Sequence, residues 1–261
     1  MSARVAIVVG AGGELGRETA KVLAAAGYTV VGVDRNEEGL KQLPDGIRRE
    51  AGDAVDPAAA KTVIDRIAAE VGPPEVLVNT IGTFRQGDAT DPAAAKALID
   101  KIAGQAGPPE VLVNTIGMFR LGEAVAVTPD DLRVLMDVNL GAALWLSQAV
   151  EPYMRQRGKG SIVHVSARPG TDPTAGMAAY SLSKAALSHL VRILDLELRP
   201  QGIRVNAVAP QLIDTAANRA TFPAGLLAHA VRPEAIANVI AFLAGDLAAP
   251  VSGAIVPAYG A

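Results

Sequence analysis

The sequence predicts a doubly wound α/β domain: a parallel sheet covered by helices on both faces. Three observations carry this. β-rich apolar runs alternate with helical periodicity along nearly all of the 261 residues. The first run ends in a glycine-rich turn that opens a helix, Val8-Val9-Gly10-Ala11-Gly12-Gly13-Glu14-Leu15-Gly16. The second is closed by an acid, Asp34. A chain of this length buries a full core as one domain, 1–261.

Each element follows from its residues. Arg4–Val9 is a short β-rich run. Leu15–Ala26 is helical, and Gly27 ends it. Tyr28–Val33 is a strand and Ile47–Gly52 another. Pro57–Val71 reads as a helix and Val76–Thr80 as a strand. A long helix from about Pro129 to Arg157 precedes the strand Ser161–Ser166. The next helix carries a buried stripe of Leu187, Leu190, Val191, Leu194 and Leu198. Strand Arg204–Val208, helix Pro233–Ala244 and a last strand near Ala254–Val256 complete the chain. Ligands of such sheets sit beyond the C-terminal strand ends, where the strand order reverses.

A tandem repeat interrupts this plan. Residues 56–90 and 91–125 align without a gap at a period of 35, with 25 of 35 positions identical. Both copies contain Asp-Pro-Ala-Ala-Ala-Lys, then Gly-Pro-Pro-Glu-Val-Leu-Val-Asn-Thr-Ile-Gly: one helix and one strand each. Two copies do not make a solenoid, so the repeat reads as a duplication inside an ordinary domain. Two identical strands cannot occupy one sheet position. Copy two runs naturally into the rest of the chain, so Asn114 and Gly117 are expected beside the ligand in preference to Asn79 and Gly82. The surplus helix and strand are expected to extend from the core or join an oligomer interface.

Composition removes several functions. Net charge is −3, which leaves no electrostatic footprint for nucleic acid. Half of the residues are hydrophobic, yet no apolar run reaches the length of a membrane span. Zero cysteines exclude disulfides and thiolate metal sites. His164, His189 and His229 show no ligand spacing, so no metal site is expected. With no cleavage pattern of a signal peptide at the N-terminus, these features point to a cytoplasmic location.

The glycine-rich turn suits a pyrophosphate. Free N–H groups and the positive dipole end at a helix start attract phosphate. Gly10, Gly13 and Gly16 let the backbone approach the ligand and pack the helix on the strand, although the spacing departs from Gly-x-Gly-x-x-Gly. A carboxylate at Asp34 can accept from both adenosine ribose hydroxyls and repels a 2′-phosphate. NAD (NADH) is favoured, and Arg35 next door leaves NADP open. Further along, Tyr180-Ser-Leu-Ser-Lys184 puts a phenol and an ammonium on one helix face. The ammonium favours the phenolate, so the phenol is expected to fall from ~10 toward the range of an acid/base catalyst.

These motifs, in this order, resemble the short-chain dehydrogenase/reductase family over essentially the whole chain. The resemblance rests on the glycine turn, Asp34, Asp53 in Asp-Ala-Val-Asp, and Asn-Thr-Ile-Gly where the family has Asn-Asn-Ala-Gly. It rests equally on Asn139 in Val-Asn-Leu, Tyr180-x-x-x-Lys184 and Asn206-Ala-Val-Ala-Pro210. It implies a Rossmann-type fold and an NAD(P)-dependent oxidoreductase. Tyr180 would exchange a proton with the substrate oxygen, Lys184 would hold the nicotinamide ribose and lower the tyrosine's pKa, and Asn139 would order a relay water. The implied cofactor site comprises Gly10, Gly13, Leu15, Gly16, Asp34, Arg35, Asp53, Ala54, Asn114, Gly117, Lys184, Pro210, Ile213 and Thr215.

The chain departs from the family at two places. Glu14 stands at a usual glycine, and Val9 at a usual threonine. The family's catalytic serine falls on Ala167, which leaves Ser166, one residue earlier, as the candidate replacement even though alternate strand residues face opposite sides. Gly-x-x-Gly-x-Leu-Gly, that alanine, Ala175-Gly176-Met177 and Asp214-Thr215-x-x-Asn218-Arg219 are similar to the dihydropteridine reductases, which reduce quinonoid dihydropterins with NADH.

The expected function is hydride transfer between nicotinamide and a small carbonyl or quinonoid, imine-like substrate, with Tyr180 as general acid/base. The alternative is a non-catalytic dinucleotide-binding or sensing protein on the same fold. The substrate pocket is expected among the segment after Ser161–Ser166, Met118–Leu121 and Gln211–Leu226. With four Phe, four Tyr and one Trp in the chain, a broad aromatic pocket is not expected, and Trp145 is read as packing. A homodimer or homotetramer is expected through the long helix and the tyrosine helix, with Leu194 and Leu198 supplying an apolar patch.

Overall fold

The computed structural model describes residues 4–53, 57–72, 74–79 and 91–260. β1 (Val5–Val9) leads through the glycine turn to α1 (Glu14–Ala25), β2 (Thr29–Asp34), a one-turn α2 (Glu37–Leu40) and β3 (Arg48–Ala51). The repeat copies supply α3 (Pro57–Glu70) with β4 (Pro74–Asn79), then α4 (Pro92–Ala106) with β5 (Val111–Asn114). α5 (Pro129–Met136) and α6 (Ala142–Arg157) are joined by a π-helical turn, Asp137–Gly141, that interrupts the expected long helix. β6 (Gly160–Val165), α7 (Ala178–Leu198) and β7 (Ile203–Pro210) follow. The short α8 (Ala216–Thr221) and α9 (Ala224–Leu227), then α10 (Pro233–Ala244) and β8 (Ile255–Ala258), close the chain.

The strands form one parallel sheet in the order β3-β2-β1-β4-β5-β6-β7-β8. Alternate strand residues face opposite layers. Ile7, Leu77, Leu112 and Ile162 share a core with Ile67 of α3, Ile99 of α4, Leu146 of α6 and Val191 of α7. Val8, Val78, Val113 and Val163 share the other with Leu23 of α1 and Ile240 of α10. Trp145 packs against the first core, as its sequence context suggests.

The repeat settles where it was not expected. β4 pairs with β1 on one side and β5 on the other, and β5 pairs with β6. The register sets each residue against its own duplicate: Val76 with Val111, Leu77 with Leu112, Val78 with Val113 and Asn79 with Asn114. The surplus unit therefore neither projects from the core nor waits for an interface; it widens the sheet at its centre. A strand with its crossover helix is the natural increment of a parallel sheet. Val76, Leu77 and Val78 are buried; left outside, they would forfeit roughly 6 kcal/mol of apolar burial at about 2 kcal/mol each, besides exposing unpaired backbone groups. Arg4, just before β1, holds both copies: its Nε donates to Glu75 and its Nη2 to Glu110, each at 2.7 Å.

A second correction concerns α7. Leu194 and Leu198 are buried in the first core and supply no surface patch. The exposed apolar side chains of this helix are Leu182, Ile193 and Leu196. The helix is apolar on two sides, and the sequence stripe marks the side facing the sheet.

Candidate active site

The glycine turn forms where β1 ends. Gly10 adopts a φ of 85°, a conformation that favours glycine. Its N–H and that of Ala11 both donate to Val33 O, at 2.8 and 3.2 Å. Gly12 N–H donates to Asp34 Oδ2 at 2.9 Å, and Asn36 N–H to Asp34 Oδ1 at 2.9 Å. A Cβ on Gly12 would sit 2.9 Å from that carboxylate oxygen, so Asp34 braces the turn in addition to any ligand role. Gly16 is buried and Leu15 packs on the second core. α1 starts without a side-chain cap, which suits an anion at its first N–H groups. These features fit the pyrophosphate and adenosine ribose of a dinucleotide. Arg35 is exposed beyond β2, and Asp53 follows β3 at the same sheet end. Ala54 lies outside the described residues, as does Gly82.

Glu14 joins this turn to the segment after β7. Ala216 N–H donates to Glu14 Oε2 at 2.7 Å, and Arg219, paired with Asp214, lies 3.4 Å from Glu14 Oε1. Thr215 caps α8 by accepting from Asn218 N–H at 3.2 Å, and Asn218 Nδ2 donates to Ile213 O at 2.7 Å. Ile213 and Thr215, which follow Pro210 at the end of β7, are thereby held beside the start of α1.

The catalytic candidates gather over β5 and β6. Lys184 is buried, and its Nζ donates to Val165 O at 2.8 Å. A Cβ on Gly117 would lie 3.1 Å from that Nζ and 3.3 Å from Asn139 Oδ1. Asn139 lies in the π-helical turn, a distortion often found at functional sites. Its Oδ1 accepts from Met118 N–H at 2.8 Å. Its Nδ2 donates to Met118 O and to Ser183 Oγ, each at 2.9 Å. Ser183 Oγ in turn donates to Tyr180 O at 2.7 Å. Bonds thus run from the loop after β5, through Asn139, to the helical turn that carries Tyr180. Sequence reasoning misses Ser183; its place one turn after Tyr180 and beside Lys184 was the available signal.

Other expected residues are placed differently. Ser166 is buried, donates to Lys184 O at 3.2 Å and lies 2.8 Å from Ser188 Oγ. β6 has ended at Val165, and the Ser166 hydroxyl is bonded to α7. Asn114 Oδ1 accepts from Ile116 N–H at 3.1 Å, and its Nδ2 lies 3.4 Å from His164 Nδ1. Because β4 intervenes, Asn79 rather than Asn114 is the residue paired with Val9. Asn114 and Gly117 lie one strand further from the glycine turn, on the Lys184 side.

Desolvation governs the electrostatics. Burial pulls the Lys184 ammonium down to about 8. Burial pushes the Tyr180 phenol up, opposite to the fall expected from its lysine. The ammonium is directed at the Val165 carbonyl, which leaves the loss of water as the dominant influence on the phenol. His164, between Asn114 and Ser147, is pulled down to about 3 by burial and by the charge of Lys184.

Few rings occur in the chain, yet three converge here. Phe119 meets Tyr180 edge-on, with centroids 4.9 Å apart and planes at 79°. Phe222 lies 5.3 Å from Phe119. The sequence places both segments at the pocket but gives no sign that their rings form a wall.

Comparison with known proteins decides the family. Residues 83–260 match the family model described as enoyl-(acyl carrier protein) reductase, and residues 4–86 the one described as short chain dehydrogenase. The chain belongs to the short-chain dehydrogenase/reductase family. This short-chain dehydrogenase/reductase is 33% identical to galactitol 2-dehydrogenase of Rhizobium johnstonii, over 96% of this chain and 91% of that protein. It is 29% identical to the 3-oxoacyl-[acyl-carrier-protein] reductase FabG of Escherichia coli, over 96% of this chain and 93% of FabG. The crystal structure of gox2181 superposes with a TM-score of 0.73 at 26% identity, covering 99% of this chain and 95% of the other. As a short-chain dehydrogenase/reductase the chain is an NAD(P)-dependent oxidoreductase acting on small molecules. Among the described residues, no helix is long and apolar enough to cross a membrane, and no group of three or more His, Cys, Asp or Glu could hold a metal ion.

Proposed function

We propose that this enzyme uses NADH in preference to NADPH to reduce a carbonyl or quinonoid, imine-like substrate, with Tyr180 as the general acid. The observation that carries the reading is the bonded path Met118–Asn139–Ser183–Tyr180, with Lys184 packed against Gly117. A nicotinamide dinucleotide supplies the two-electron chemistry when bound. The glycine turn and the start of α1 would hold its pyrophosphate, and Asp34 its adenosine ribose. Tyr180, its phenol pushed up by burial, gives its proton to the substrate oxygen as charge develops there. Lys184, bonded to Val165 O beside Gly117, would hold the nicotinamide ribose. Asn139 fixes the Met118 loop and the turn of α7 relative to each other. Phe119 and Phe222 exclude water from that end of the site. The exposed Leu182, Ile193 and Leu196 on α7 support a homodimer or homotetramer, and the absence of cysteine supports action in the cytoplasm.

The test is NADH oxidation over a panel of carbonyl and quinonoid-dihydropterin substrates with wild type and Tyr180→Phe. The variant is expected to keep its NADH affinity and lose about a hundredfold or more in kcat. A Tyr180→Phe enzyme within about threefold of wild type would remove the proton donor from this assignment.

A further inference from the structure

The starts of the strands form a second candidate site. All strand pairs are parallel, so the starts gather at the sheet end away from the glycine turn. β6 alone, six residues long, rises roughly 20 Å between the two ends. The starts of β1, β5, β6 and β7, with the segment 244–252, enclose a cleft of about 370 Å3. That lies within the range of small-molecule sites. None of the residues assigned above to cofactor or catalysis lines it.

The charge of this cleft runs against that of the chain. The chain carries −3, yet the lining sets four cations, Arg4, Lys159, Arg199 and Arg204, against two acids, Glu110 and Asp246. Both acids are already shared. Glu110 accepts from Arg4 at 2.7 Å and from Arg157. Asp246 lies 3.0 Å from Lys159 and 4.0 Å from Arg4. Arg199 lies 3.9 Å from Asp195 Oδ2, and the other oxygen of Asp195 accepts from Ser252. Arg204 is half-buried, and it forms no ion pair among the described residues. Its guanidinium donates to Leu243 O at 2.9 Å, Gly245 O at 3.1 Å and Val251 O at 3.4 Å. These carbonyls fix and solvate the group but bring no full negative charge to set against it. Burial pulls the Arg204 guanidinium down, and the field of Asp246 opposes that.

We infer that this cleft binds a phosphate dianion, free or esterified to a small molecule, held by Arg199, Arg204 and Lys159. A dianion matches the surplus charge of the lining, and guanidinium forks match phosphate oxygens. At about twelve times the volume of a water, the cleft has room for an attached group, and Ala249 and Pro250 give it an apolar wall. A bound phosphate would link the starts of β6 and β7 to the segment that enters β8, and so stabilise the folded chain. The inference stands apart from the oxidoreductase reading, since the two sites share no residue.

Calorimetry on the full chain at fixed ionic strength tests this with inorganic phosphate, glycerol 3-phosphate and, as a dicarboxylate control, succinate. At least one phosphate compound is expected to bind about fivefold or more tightly than succinate, and the tighter of the two identifies the source of the phosphate. The same compound is expected to slow acetylation of Lys159, read by mass spectrometry on the wild-type chain. The double variant Lys159→Gln, Arg199→Gln changes two exposed side chains. It is expected to bind about fivefold or more weakly, the size of partly exposed charge contacts. Arg17→Gln, beside the glycine turn, is expected to bind as the wild type does, which separates this cleft from the pyrophosphate site. Four results overturn the inference: no binding of either phosphate compound, a smaller margin over succinate, unchanged acetylation of Lys159, or a smaller loss in the double variant.

Discussion

Asn79 lies directly beside Asn114 in the sheet, the two ends of an identical Val-Leu-Val-Asn strand. The tie continues past the strands, where Thr115 donates to Asn79 O through its N–H at 2.9 Å and its hydroxyl at 3.1 Å. Copy two is thus built onto copy one, and the ledge along which a dinucleotide would lie is one strand wider for it.

Removing residues 56–90 is expected to leave a foldable chain of 226 residues. β5 can then pair with β1 using the contacts β4 makes now, because the paired residues are the same. The shortened enzyme is expected to bind NADH, as calorimetry would show. An insoluble product, or one that does not bind NADH, would mean that the duplication is integral to the fold.

Asp34 is expected to make NADH bind about tenfold more tightly than NADPH, or ~1.4 kcal/mol. Asp34→Ala should erase that difference. It should also lower the denaturation midpoint, since Gly12 N–H and Asn36 N–H lose their acceptor. Equal affinities in the wild type would shift the emphasis to Arg35.

Glu14 places a carboxylate at the helix start proposed to hold the pyrophosphate. Glu14→Gln is expected to tighten NADH binding by about two- to fivefold, the size of a charge effect at a helix terminus. The gain should shrink in high salt. Weaker binding in the variant would show that the link to Ala216 and Arg219 matters more than the charge.

His164 contributes to acid sensitivity. Its folded pKa of about 3 lies below the ordinary 6.5, so between those values the unfolded chain binds the extra proton. Stability from this group is full above about 6.5 and is lost progressively as pH falls toward 3. Urea midpoints measured across that range should fall less steeply in His164→Gln than in wild type. Parallel slopes would count against a neutral, buried imidazole.

Much of this was legible because it is local. The glycine turn, Asp34 and the alternation of strands and helices are written in short periods and turn residues. Tyr180 and Lys184 are four apart on a helix, so their shared face follows from spacing alone. The destination of the second repeat was not legible, because identical strands have identical propensities and only pairing across the sheet separates them. The direction of the Tyr180 shift depends on how deeply α7 is buried, and the commitment of Ser166 on where β6 meets that helix. Neither is a property of neighbouring residues. On α7 itself, the buried Leu194 and Leu198 are distinguished from the exposed Leu182, Ile193 and Leu196 only by which side of the helix the sheet covers.

The matched register of β4 and β5 also bears on how the chain finds its fold. β1 and β6 are each offered two strands of the same sequence, and exchanging them would preserve every side-chain pairing across the three seams. Nothing in the strands themselves dictates which comes first. That choice falls to connectivity: β4 is nearer to β1 along the chain, so its loop closes at lower entropic cost, and each crossover helix must then find its own neighbours. α3 does so through Arg66, which reaches Glu50 beside β2 at 2.9 Å, and α4 through Asp100, which accepts from the Tyr153 hydroxyl of α6 at 2.9 Å. Strand order, which most sheets encode in side chains, is assigned here to the helices that connect them.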